Sequence, residues 1–178
     1  MINEMSVHAR STNKKANLVV AACFISTFIL LIVSALVDAY RGLFSMLIFI
    51  FMISTIFFYT KFMAARYVYD LTTDEKGAPI LITRNIIGKR ETTLMRIDLG
   101  TVASVERVSR EELKKYRPET GGVLRYVYSP TFLPDSLLFI KSRSSYEKAD
   151  ILIEAPDEFG DLIRRTAEYV KEKYGDID

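Results

Sequence analysis

The residue types that most often carry catalysis or bind metals are scarce in this chain. Its 178 residues include one histidine, His8, and one cysteine, Cys23. A zinc site of the His/Cys type needs about three or four such ligands, and a cysteine nucleophile needs a base such as histidine. A single cysteine also excludes an intrachain disulfide, which agrees with a reducing compartment. We therefore predict a protein that is not an enzyme and that uses no metal ion or cofactor.

Acidic residues form two dense groups, and both stand where a helix is expected to begin. Glu111 and Glu112 follow Ser109 in the pattern of a capping box. Asp157 and Glu158 stand at the start of the last segment whose apolar residues recur with a helical period. Acid–base catalysis instead requires two carboxyl groups that converge on one substrate. Because carboxylates in a first helical turn are ordinary partners of its free N–H groups, we interpret both groups as helix caps.

Aromatic and basic residues are concentrated between residues 109 and 134. Tyrosine and arginine are residue types that anchor protein interfaces, and loops held by a rigid scaffold often carry binding function. The candidate partner-binding residues are Lys114, Lys115, Tyr116, Arg117 and Arg125. A second interpretation stays open, in which the tyrosines of this segment fill one face of a sheet and the charges are only solvated.

Two long uncharged stretches predict membrane-spanning helices. The first covers 22 residues, 16–37, and the second covers 19 residues, 42–60. About 20 apolar residues, each adding about 1.5 Å of helix, cross the roughly 30 Å of hydrocarbon in a bilayer. The backbone there must be helical, because the hydrocarbon offers it no water. The first stretch is too long for a cleaved signal peptide, and a second span follows it closely.

Basic residues predict the orientation of these spans, because positive charge favours the cytoplasmic side. They flank the pair of spans at its two outer ends: Arg10, Lys14, Lys15, Lys61 and Arg66. We therefore expect a protein of the cell (plasma) membrane with both termini in the cytoplasm. The predicted segments are a cytoplasmic tail (1–15), a first span (16–37), an external turn (38–41), a second span (42–65) and a cytoplasmic domain (66–178).

The charge of the predicted domain argues against a nucleic-acid partner. Residues 66–178 hold 19 of the 24 Lys and Arg residues and 20 of the 22 Asp and Glu residues, a net charge of −1. Nucleic-acid binders carry a basic excess on the binding domain. We expect contact with the lipid bilayer and with another membrane or cytoplasmic protein. Self-association is left open by small residues at Ala22 and Ser26 of the first span.

Beyond the second span the hydrophobic pattern changes to a period of two residues, which predicts strands. Seven strands are expected, at 66–71, 79–87, 90–97, 101–108, 123–128, 137–141 and 151–154. A short helix follows the capping box and ends near residue 116. A C-terminal amphipathic helix is predicted from one apolar stripe: Phe159, Leu162, Ile163, Thr166 and Val170.

Seven strands followed by one amphipathic helix resemble the element order of the pleckstrin-homology (PH) superfold. Residues 82–90 resemble the bacterial PH pattern of an apolar strand, a glycine-containing turn and a following basic residue. Residues 97–105 are similar to the Ile-Pro-Leu-x-x-Ile-x-x-Val signature of that family, with Asp98 where proline is usual. Many family members also carry two membrane helices directly before the domain. The long segment from 109 to 134 departs from the family pattern.

The resemblance implies a membrane-anchored α+β, mainly β protein: a PH-like seven-stranded antiparallel barrel or sandwich capped by its C-terminal helix. This superfold serves mainly as a binding platform. In eukaryotic relatives the turn equivalent to Lys89 and Arg90 holds phosphoinositide headgroups, which makes these two residues a weak lipid-headgroup site. We expect a non-enzymatic interaction module, scaffold or accessory subunit at the inner face of the membrane. The alternative is a sensor of anionic lipid headgroups at that surface.

Overall fold

The computed structural model describes residues 4–9, 13–37, 40–116, 123–144 and 148–174. Two long apolar helices, α1 (Lys14–Leu36) and α2 (Arg41–Phe58), pack against each other as a helical hairpin. A π-helical turn, Tyr59–Ala64, extends α2 to the start of the domain. Both helices are long and apolar enough to cross a membrane, by length and composition. Part of the predicted external turn, residues 38–39, lies outside the described residues.

The hairpin leaves its large apolar side chains uncovered by the protein. Ala16 is the one buried residue in the described part of α1, and none is buried in α2. Phe24 and Phe49 are 66% and 58% exposed. Such a continuous apolar surface needs an apolar environment from outside the chain.

Within the described residues eight strands form two sheets, one strand more than the sequence predicted. Their bounds are β1 Met5–Ala9, β2 Ala65–Thr73, β3 Pro79–Ile87, β4 Arg90–Asp98, β5 Val102–Ser109, β6 Leu124–Tyr128, β7 Ser136–Arg143 and β8 Lys148–Ile153. The additional strand is β1, which lies in the segment predicted as a tail and pairs with β2, so that Ala9 faces Tyr67. A five-residue strand ahead of the helices carries little periodic signal, and only the free edge of β2 gives it a partner.

The prediction was an antiparallel barrel or sandwich, and the strand pairing corrects its barrel alternative and its purely antiparallel direction. The first sheet has the order β1-β2-β3-β4 and the second β5-β7-β8-β6. The second sheet is mixed, because β6 runs parallel to β8. No pairing among the described strands joins the two sheets into a closed barrel. The fold is therefore α+β, with two four-stranded sheets and a C-terminal helix.

The C-terminal helix α4 (Asp157–Tyr174) packs its apolar stripe against the core between the sheets. Phe159 and Ile163 are fully buried and Val170 nearly so, as the stripe predicts. Leu162, which the stripe also placed inside, is only partly buried. The helix approaches β7 closely at Gly160, where an added Cβ would lie 2.8 Å from Cδ2 of Leu138.

Candidate interaction surfaces

Tyr116 is held on the outer face of the second sheet. It follows the short helix α3 (Arg110–Lys115), whose predicted capping box between Ser109 and Glu112 is present. The box lowers the pKa of the Glu112 carboxyl, because the Ser109 backbone N–H donates to it. The Tyr116 ring meets the Phe139 ring edge-on at 5.0 Å, and its hydroxyl donates to Oδ2 of Asp150 at 3.1 Å. Tyr116 is therefore partly a packing residue.

Two cations approach the Tyr116 ring from neighbouring strands. The Arg125 guanidinium lies 5.1 Å from the ring centre, and Nζ of Lys141 lies 5.8 Å from it. The strand register explains the convergence, since Lys141 and Arg125 both pair with Asp150 from opposite sides. Cations over an aromatic face are attracted to it by the ring quadrupole.

Asp150 is fully buried beneath this cluster and forms an ion pair with Arg143 at 3.0 Å. Arg143 in turn faces Lys148 directly across β7 and β8. We call the surface made by Tyr116, Arg125, Lys141, Arg143 and Lys148 over Asp150 the Asp150 face. Among the described residues this face carries four cations, and Asp150 is the buried carboxylate beneath them. Of the four, Arg143 is paired with Asp150.

The structure brings together part of the predicted partner site. Tyr116 and Arg125 meet, while Lys114 and Lys115 are exposed in the last turn of α3. Arg117 lies outside the described residues. Sequence reasoning missed Lys141, Arg143 and Lys148. For Lys141 and Arg143 the available signal was their alternation with Phe139 along the chain, because a period of two places such residues on one face of a strand.

Lys89 lies in the exposed turn between β3 and β4 of the other sheet, and Arg90 is the exposed first residue of β4. Gly88 has a φ of +62°, the left-handed conformation that this tight turn requires. Ala65 pairs with Ile87 and follows the π-helical turn directly, so the β3–β4 turn lies at the sheet end next to the helical hairpin. The two predicted candidate sites are thus on different sheets.

A third feature is the loop between β6 and β7, residues 129–135, which contacts the base of the hairpin. The ring centre of Phe132 lies 5.2 Å from the ring centres of both Phe58 and Phe62. Asn13, which is 8% exposed, donates to the carbonyl oxygens of Phe62 and Pro130 and accepts from the Phe132 backbone N–H. A single asparagine thus joins the start of α1, the end of the second long helix and this loop.

Glu154 fixes the same loop from the domain side. Its carboxylate accepts from the hydroxyls of Ser129 and Thr131, each at 2.7 Å. Leu133 follows these anchored residues and has a φ of +59°, which is unusual for a residue with a side chain. Sequence reasoning did not single out Asn13, Phe132 or Glu154, because their partners are distant along the chain.

An ionic cluster on the first sheet has a structural role. Asp70 is 8% exposed and accepts from the hydroxyl of Ser6 at 2.5 Å and from Nε of Arg84 at 2.6 Å. Arg84 also pairs with Glu91, and these two carboxylates raise the pKa of its guanidinium, Glu91 most. The cluster links β1, β2, β3 and β4, so it holds the N-terminal strand in the sheet.

Comparisons with known proteins do not define the site further. The chain matches no family model, no curated protein and no solved structure. Within the residues that the structure describes, no group of three or more His, Cys, Asp and Glu residues could hold a metal ion. The candidate sites are therefore surfaces defined by their own geometry and charge.

Proposed function

We propose that this protein is a non-enzymatic, membrane-anchored interaction module, a scaffold or accessory subunit whose α+β domain holds a partner protein at the inner face of the cell membrane. The observation that carries the proposal is the Asp150 face. Arg125 and Lys141 are held over the Tyr116 ring and Arg143 is held by the buried Asp150 carboxylate. Side chains that are held in this way lose less freedom on binding. We expect an acidic partner surface, because opposite potentials speed encounter and select partners.

The anchoring part of the proposal rests on the helical hairpin and on charge. Uncovered apolar helices of this length fit a bilayer, and Lys14, Lys15, Lys61 and Arg66 stand at the ends that join the domain. The positive-inside rule then places both termini and the domain in the cytoplasm. Two sheets followed by a packed C-terminal helix also agree with a PH-like relationship, which we keep as part of the proposal despite the additional strand and the parallel β6–β8 pair.

A capture experiment tests the Asp150 face. Full-length protein is isolated from its native membrane with bound proteins, and wild type is compared with the double variant Arg125→Gln and Lys141→Gln. We expect the variant to lose most of the co-purifying partner. The control, Lys76→Gln with Arg165→Gln, removes the same charge from exposed positions elsewhere and should retain it. Full retention by the Arg125/Lys141 variant would refute the assignment.

The second candidate is a sensor of anionic lipid headgroups through Lys89 and Arg90. The observation that favours it is the position of the β3–β4 turn beside the hairpin, within reach of a membrane surface that would attract each cation by about 1 kcal/mol. Salt-sensitive binding to anionic vesicles that is lost on Lys89→Gln with Arg90→Gln, but not on changes in the Asp150 face, would favour this candidate.

A further inference from the structure

A cavity of about 290 Å³ lies between the base of the helical hairpin and the loop 129–135. We call it the hairpin pocket. Its wall is formed mainly by apolar side chains from the π-helical turn, α3, β6, the loop and β7: Phe62, Leu113, Val127, Phe132, Leu133 and Leu137. Val127 and Leu133 are 52% and 38% exposed, so the apolar wall is open to the surroundings of the protein.

The apolar wall adjoins the uncovered surface of the second long helix. Phe62 lines the pocket, and its neighbours Phe57 and Met63 are 52% and 42% exposed. A molecule in the pocket would therefore share its apolar surroundings with whatever covers the hairpin. This continuity favours a lipid over a water-soluble ligand.

Two cations complete the lining. Nζ of Lys61 lies 5.5 Å from the ring centre of Phe57 and 5.4 Å from that of Phe62. Arg110 is fixed at the start of α3, where its backbone N–H donates to the carbonyl of Asp135 at 3.1 Å. Among the described residues neither cation has a carboxylate partner, and the Asp135 carboxylate lies 3.8 Å from Lys15 instead.

The walls of the pocket are held by defined contacts. Asn13 and Glu154 fix residues 129–132 of the loop, and Leu133, which has a left-handed conformation, follows them directly. Such a conformation costs free energy and persists only where the surrounding structure imposes it, often at ligand sites.

We propose that the hairpin pocket binds one anionic glycerophospholipid. An acyl chain lies on the apolar wall, and the phosphate lies between Lys61 and Arg110. The inference rests on the membrane-anchoring part of the proposed function and is independent of the Asp150 face. Two cations near one phosphate should favour an anionic over a zwitterionic headgroup by about tenfold.

Native mass spectrometry of the full-length protein tests this. Delipidated protein in detergent is titrated with dioleoyl phosphatidylglycerol or with dioleoyl phosphatidylcholine. We expect one retained phosphatidylglycerol per chain and about tenfold weaker retention of phosphatidylcholine. Glycerol 3-phosphate, which lacks acyl chains, should not be retained, and its retention would refute the acyl part of the site.

Variants locate the binding. Lys61→Gln with Arg110→Gln should remove the headgroup preference, and Val127→Trp, which fills the pocket, should weaken retention of both lipids. Leu133→Asp changes an exposed side chain at the pocket and should selectively repel phosphatidylglycerol, which keeps the test valid if the tryptophan variant does not fold. Lys76→Gln with Arg165→Gln is the charge-matched control and should bind as wild type.

Equal retention of the two lipids, unaffected by Leu133→Asp and by the Lys61/Arg110 variant, would overturn the proposal. Loss of the preference in the control as well would show a general charge effect and would also overturn it. Extraction of the wild type from membranes by alkaline carbonate without detergent would instead refute membrane anchoring. The two failures are therefore distinguishable.

Discussion

Asp150 shows how one residue can organise a surface. Removing a carboxylate from water costs several kcal/mol unless other groups satisfy it. Here the Arg143 guanidinium and the Tyr116 hydroxyl contact its two oxygens, and both are thereby fixed in place. Tyr116 then presents its ring to Arg125 and Lys141. The buried Asp150 carboxylate thus positions Tyr116, and through it Arg125 and Lys141, while it remains below the protein surface itself.

Tyr69 is a second buried polar residue, and it provides a pH test of the fold. Its hydroxyl donates to the Tyr128 carbonyl at 2.5 Å, and burial raises its pKa above the ordinary value of 10.0. The neutral ring therefore stabilises the fold fully below pH 10, and this contribution falls as pH rises toward the folded pKa, because the unfolded chain ionises first. The expected slope is about 1.4 kcal/mol per pH unit.

Chemical unfolding followed by circular dichroism between about pH 9 and 11 measures that loss. Tyr69→Phe should be less stable at neutral pH but should show a shallower alkaline decline. Tyr169→Phe, a change at a residue that is 48% exposed, is the control and should decline as wild type does. Identical slopes for wild type and Tyr69→Phe would contradict the role assigned to this hydroxyl.

At the scale of elements, each sheet depends on a partner distant along the chain. β1 and β2 are separated by the whole helical hairpin, yet they pair along five residues of β1. This pairing connects the segment before α1 to the segment after α2, so both ends of the hairpin are attached to the domain. The C-terminal helix α4 covers the core that the two sheets leave open.

Removal of buried side chains from α4 should reveal its contribution. Ile163→Ala deletes atoms from a fully buried site and should reduce the free energy of unfolding by about 2–5 kcal/mol. Leu162→Ala, at the neighbouring and only partly buried position, should cost clearly less. Denaturant unfolding of the full-length protein in detergent measures both. Equal small losses would mean that α4 is not packed as described.

At the scale of the whole molecule, the proposed anchor sets where the surfaces can act. β2 starts immediately after the π-helical turn, so the second long helix continues directly into the domain. Asn13 adds a second attachment through its contacts with the loop 129–135. The domain should therefore keep one orientation toward the membrane, with the hairpin pocket and the β3–β4 turn next to it.

Cysteine labelling tests the proposed orientation. In a variant with Cys23→Ser and Glu75→Cys, the new thiol lies in the exposed turn between β2 and β3. A membrane-impermeant maleimide should label it only after cells are permeabilised, because the positive flanks predict a cytoplasmic domain. The Cys23→Ser protein without the new cysteine is the background control. Labelling of intact cells would reverse the orientation and remove the proposed cytoplasmic partner.

The sequence by itself determined the features that depend on local patterns. Uncharged runs located α1 and α2, the two-residue period located seven of the eight strands, and Ser109 with Glu112 located the start of α3. The apolar stripe of α4 was also predicted from the sequence, except that Leu162 is only partly buried. These features follow from hydrophobic period and capping chemistry, which act over a few neighbouring residues.

Only the tertiary structure decided which distant residues meet. The pairing of β1 with β2, the parallel β6–β8 pair, the contacts of Asn13 and the convergence of Arg125 and Lys141 on Tyr116 all join residues far apart along the chain. Strand order and register set these contacts, and a strand's own pattern specifies its faces but not its neighbour. Both the Asp150 face and the hairpin pocket are therefore products of the assembled sheets and hairpin.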